Sequence, residues 1–154
     1  DEISDYLANE LERELTARGV IVNREVQVRR NRPSGIGERT DLLVEAVSVG
    51  GADSGRLSLP VEVKGAWNDE LPIAMRTQLV DRYMSDIAST RGVYVVAWPD
   101  LQSWTDTGDD RRRRFASLDR VAIEVGLAAQ AGELAEMGEL VDVVHLDVAY
   151  RRPR

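Results

Sequence analysis

An α/β fold, built as a three-layer-like mixed β-sheet flanked by helices, is the architecture this chain predicts. Three observations lead there. Runs rich in β-branched residues and bounded by turn residues recur at 20–29, 40–49, 57–64, 92–98 and 141–150. Stretches with apolar residues at helical spacing precede the first run and separate the later ones. The run from Gly92 to Trp98 is apolar almost throughout, as in a strand covered on both faces, whereas Glu25 to Arg29 alternates. The resulting order is α-β-β-β-α-β-α-β, an α-β-β-β-α-β core followed by an extra helix and strand.

Taken in order, residues 2–18 carry Ile3, Leu7, Leu11 and Leu15 on one helical stripe, and Gly19 stops the helix. Glu14 falls within that stripe, Glu10 on its margin, and Glu12 points away. Residues 20–29 form the first strand. Asn31 to Gly37, with Pro33, Gly35 and Gly37, is a loop. Its Gly-Ile-Gly leads into a strand rather than a helix, so it is not a dinucleotide-binding turn. Residues 40–49 form the second strand, closed by Gly50-Gly51. Residues 57–64 follow as the third, antiparallel to it, and Pro60 implies that one side is unpaired or bulged there. Asp69 is expected to cap a helix through about Ser89, with Leu79, Val80, Tyr83, Met84 and Ile87 packing. After the fourth strand, 101–114 reads as polar and irregular, 117–137 as a helix and 141–150 as the last strand.

At 154 residues the chain suits a single domain, 1–154, with a real core, and 43% hydrophobic with 31% charged residues is ordinary for a soluble protein. The absence of cysteine excludes disulfides and thiolate metal sites and fits a reducing, cytoplasmic setting. No apolar run approaches a membrane span, so no membrane partner is expected. The net charge of −7 argues against a protein that simply coats nucleic acid. Arginines nevertheless gather at 24–39, at 111–114 and at 151–154. The chain opens on Asp1 rather than methionine, which suits a piece of a longer protein, with further domains or further copies as partners.

The chemistry concentrates at Leu57–Gly65. Successive strand side chains point to opposite faces, so Glu62 and Lys64 share one face while Val61 and Val63 take the other. Lys64 is the only lysine in a chain that otherwise uses arginine. An ammonium is a compact charge whose pKa shifts readily on burial, a role arginine cannot fill. Asp41 stands at the head of the preceding strand.

Asp41 followed across a hairpin by Glu62-Val63-Lys64, with a helix before and a helix after, resembles the PD-(D/E)XK, or restriction-endonuclease-like, nuclease superfamily. The resemblance spans roughly Ile3 to Trp98. It implies a Mg²⁺-dependent nuclease, with Mn²⁺ able to substitute, that hydrolyses nucleic-acid phosphodiester bonds, DNA more than RNA. By analogy it implies the effector of a bacterial restriction or antiviral defence protein. Position by position, it implies that Asp41, Glu62 and the Val63 carbonyl hold the metal while Lys64 orients or deprotonates the attacking water. A glutamate from the first helix often joins such sites, and here Glu14 or Glu10 could serve, with Glu25 as rival. Thr40 stands where the family has proline. Gln78 is followed by Tyr83, one residue too far for the Gln-X-X-X-Tyr motif of some relatives. In an α-helix Gln78 therefore pairs with Arg82, and both are candidate substrate-side residues. The alternative is a catalytically inactive nuclease-like fold serving as a nucleic-acid-binding or protein-interaction module. Arg111–Arg114 reads as a salt-laced helix start, Trp67-Asn68 as packing and capping as readily as substrate contact, and His145 as structural.

Overall fold

Alternation and helical spacing produce the expected elements with few shifts. The computed structural model describes residues 2–27, 39–47 and 55–148. The loop at 31–37, the glycine turn at 50–51 and the expected strand ends at 28–29, 48–49 and 149–150 lie outside them. Helix α1 (Glu2–Leu15) runs into one 3₁₀ turn (Thr16–Arg18). Gly19 closes that turn at φ +71° and donates its N–H to Thr16 O. A Cβ there would meet nothing, so the left-handed backbone is what calls for glycine.

The strands are β1 (Val20–Gln27), β2 (Arg39–Val47), β3 (Arg56–Gly65), β4 (Arg91–Pro99) and β5 (Leu140–Val148). They form one mixed sheet in sequential order, antiparallel from β1 to β3 and parallel from β3 to β5. The β2–β3 ladder includes Leu43–Pro60, and the β3–β4 ladder begins one residue later at Val61–Val93. Pro60 thus sits where its missing N–H removes no recorded rung toward β4. Helix α1 packs on one face, where Ala8, Val22, Leu42, Val61, Val63 and Val95 form a dry layer. The other face carries Tyr94, Val96 and Trp98 beneath the second helical layer.

That second layer departs from expectation. The helix expected from Asp69 to about Ser89 begins as a single α-turn, α2 (Leu71–Ala74), and continues as a π-helix over Met75–Met84. Hydrogen bonds from i to i+5 add about one residue to each turn. The buried residues Met75, Leu79, Val80, Tyr83 and Met84 recur in steps of four and five, so the wider turn gathers them onto one face. Asp69 is not the cap. Asn68 Oδ1 accepts from the Glu70 N–H at 2.8 Å, and Asp69 pairs with Arg114 at 2.9 Å.

Two further boundaries move for one reason, a capping aspartate. The stretch expected to be irregular ends in α3 (Asp110–Ala116), where Asp109 accepts from the Arg111 N–H at 2.9 Å. Helix α4 (Arg120–Glu136) starts after Asp119, which accepts from the Ala122 N–H at 3.1 Å. Leu127 and Leu134 of α4 complete the core above the parallel half of the sheet. No helix among the described residues is long and apolar enough to cross a membrane.

Candidate functional site

The register of two strand pairs brings the chemistry together. The β2–β3 ladder runs from Val47–Arg56 to Leu42–Val61, so Asp41, one step further, stands across from Glu62. Leu42 and Val61 lie in the layer under α1, which puts Asp41, Glu62 and Lys64 together on the opposite face. The Asp41 carboxylate accepts from the Val63 N–H at 2.8 Å, joining the strands by a side chain just beyond the last ladder pair. On the other side of β3, Glu62 pairs with Tyr94 and Lys64 with Val96.

Glu62 is 2% exposed. Its Oε1 lies 2.9 Å from Lys64 Nζ, while Oε2 is buried with no hydrogen-bond partner among the described residues. Burial above all, and then the neighbouring Asp41 charge, push the Glu62 carboxyl up to about 7, and the bond to Lys64 offsets this only in part. The Tyr94 hydroxyl donates to Leu71 O at 2.9 Å. Burial, then Glu62 and Glu70, hold its proton well above the ordinary phenol range. The wall beside Glu62 is therefore a neutral, fully committed tyrosine.

Sequence reasoning missed one member of the cluster. Glu70 Oε2 lies 3.6 Å from Lys64 Nζ and accepts from Gln78 Nε2 at 2.8 Å. The Gln78 bond first, and then Lys64, hold the Glu70 carboxyl below its ordinary value. The only available signal was an acid six residues after the solitary lysine, in a stretch whose Asn, Asp and Pro read as a helix start. Gln78 consequently faces Glu70 rather than pairing with Arg82. Arg82 is exposed and acts on Glu70 through its charge. Gln78 is half-buried and bonded to Glu70, whereas Tyr83 lies in the buried face of the same helix. Tyr83 is buried, as its apolar position predicts.

Glu10 and Glu14 are not brought to this cluster. Both belong to α1, which covers the other face of the sheet, and both pair with Arg13 on its exposed side. Glu14, expected within the apolar stripe, is exposed. The side chain of Glu25 lies outside the described residues. The four arginines of α3 are engaged within the protein: Arg111 with Asp109, Arg112 with Trp104 O, Arg113 with Asp110, and Arg114 with Asp69 and Trp67 O. His145 Nδ1 accepts from Trp98 Nε1 at 3.0 Å, a structural role. The Trp67 ring lies over Gly65, where any Cβ would come within 2.4 Å of it, and meets Trp104 edge-on.

The groups able to hold a cation are the carboxylates of Asp41 and Glu62 and the carbonyl of Val63. In a strand the N–H and C=O of one residue point the same way, so the Val63 carbonyl opens on the Asp41 side. Among the described residues no third His, Cys, Asp or Glu makes this pair a three-group metal cluster. Two carboxylates and a carbonyl are hard oxygen donors that suit Mg²⁺, which usually keeps several waters and a substrate phosphate. The unpartnered Glu62 oxygen fits that donor set. Comparison with protein-family models, with curated proteins and with solved structures finds no significant match to this chain.

Proposed function

We propose that this domain is a metal-dependent nuclease that hydrolyses phosphodiester bonds, with DNA as the first substrate to test. One observation carries the reading: a buried carboxylate oxygen without a hydrogen-bond partner among the described residues, beside a second acid and the chain's only lysine. Such a group opposes folding unless something positive meets it. A Mg²⁺ held by these residues would supply Lewis acidity toward a phosphoryl oxygen and would lower the pKa of a bound water.

The chain's own residues do the rest. Asp41 and Glu62 would hold the cation from adjacent strands, and the hydrogen bond that the Val63 N–H donates to Asp41 keeps the two strands at fixed spacing. Lys64 brings a positive charge to the same face, where it steadies negative charge developing on the phosphate and orients the attacking water. Tyr94 shields Glu62 from solvent without competing for it, because its hydroxyl is given to Leu71 O.

The test is cleavage of plasmid, linear, single-stranded DNA and RNA substrates with Mg²⁺ or Mn²⁺. Cutting that disappears with EDTA, with Asp41→Asn and with Lys64→Ala supports the reading. Equal cutting by both variants removes this site from the chemistry. Tight, salt-dependent DNA binding without cleavage by the wild type assigns the domain to a non-catalytic binding role instead.

A further inference from the structure

We infer that Glu70, clamped by Gln78, is a positioning residue that keeps Lys64 from taking the cation's place between Asp41 and Glu62. The inference rests on the metal-dependent reading above. Lysine carries three donors on a flexible four-carbon stem. An ammonium two residues from a buried carboxylate, on the same face as a second one, has an obvious resting place between them. There it would neutralise both acids and compete directly with a divalent ion.

The geometry opposes that collapse. Lys64 Nζ touches Glu62 through Oε1 alone, at 2.9 Å, and lies 3.6 Å from Glu70 on its other side. The Glu70 oxygen facing Lys64 is the same Oε2 that Gln78 Nε2 holds at 2.8 Å, so the rotamer of Glu70 is tied to the π-helix. Its backbone is tied as well: Asn68 Oδ1 accepts from the Glu70 N–H at 2.8 Å, and Leu71 N–H donates to Asn68 O at 3.1 Å. The carboxylate is thus presented from a fixed turn and from a helix at once. The pull on Lys64 from this side leaves Glu62 Oε2 without a hydrogen-bond partner among the described residues, the condition a cation needs.

Because Lys64 is the only lysine, labelling with ¹³C,¹⁵N-lysine reports it alone, whether or not the protein is catalytically loaded. In the wild type its two ε-methylene protons are expected to resonate apart, with restricted Cε motion. Glu70→Gln should change their shifts and motion, Gln78→Ala should do so more weakly, and Glu70→Asp should restore the wild-type pattern in part. Mn²⁺ binding by calorimetry completes a double-mutant cycle. Glu70→Gln should weaken binding about fivefold when Lys64 is present and leave it unchanged, within about twofold, in a Lys64→Met background. Equal weakening in both backgrounds makes Glu70 a direct ligand and overturns the inference. An unaltered Lys64 signal in Glu70→Gln overturns it too, whatever the cleavage result. If the signal responds but the wild type neither binds Mn²⁺ nor cuts, Glu70 still positions Lys64 and it is the nuclease reading that falls.

Discussion

Under α1, Val61 and Val63 of β3 join Ala8, Val22, Leu42 and Val95 in a layer where every member is at most 6% exposed. On the opposite face the intervening residues of the same strand, Glu62 and Lys64, sit with Asp41, Tyr94 and Glu70. The first face stabilises by removing apolar area from water. The second buries a carboxylate whose partner reaches only one of its oxygens. Stability alone does not call for a glutamate there, since burying a charge that is incompletely paired opposes folding. The alternation of one strand thus separates an apolar face that holds the fold from a face that gathers ionisable groups.

The contrast can be broken most strongly through activity. Asp41→Asn and Lys64→Ala are each expected to slow cleavage about 10²–10³-fold. Circular dichroism should show the fold retained, because neither belongs to the apolar layer. On the dry face, Leu42→Ala is expected to destabilise the domain by about 2–5 kcal/mol in urea unfolding. Leu42 is fully buried, so a loss under about 1 kcal/mol would mean that α1 does not pack as described.

Glu62→Gln tests the opposite sign. A carboxyl raised from 4.5 to about 7 in the folded state binds its proton more tightly than in the unfolded chain. Its contribution is therefore fully present below about pH 4.5 and is lost as pH rises through about 7. Above pH 7 the variant should be the more stable by about 1–3 kcal/mol, and below pH 4.5 the difference should vanish. Denaturant midpoints measured from pH 4 to 8 check this, and a constant difference across that range would contradict it. The smallest effect belongs to α3. Arg113→Ala removes an exposed ion pair with Asp110 and should change stability by less than about 0.5 kcal/mol. Nucleic-acid binding that collapses in Arg113→Ala would instead show that this helix, not β3, meets the substrate.

Much of this could be read along the chain. Strand alternation put Glu62 and Lys64 on one face, and the apolar run of β4 announced a strand covered on both faces. The lone lysine singled out a position that the fold places against two carboxylates. Glu10 and Glu14 misled because helical spacing defines a stripe but not the face of the sheet that the stripe will cover. Glu70 escaped notice because its Asn-Asp-Glu-Leu-Pro context reads as a helix start, and its partner Gln78 is eight residues away.

Short-range patterns, side chains alternating along strands and recurring along helices, therefore settle which residues form which element and which neighbours share a face. The residue-by-residue register of β2 against β3, the choice of face by α1 and the widening of a helix into π geometry are long-range outcomes. Each depends on how whole apolar surfaces fit one another, a sum of many weak contacts between distant segments that no local window contains. That sum is what sets Asp41 opposite Glu62 and turns Glu70 toward Lys64.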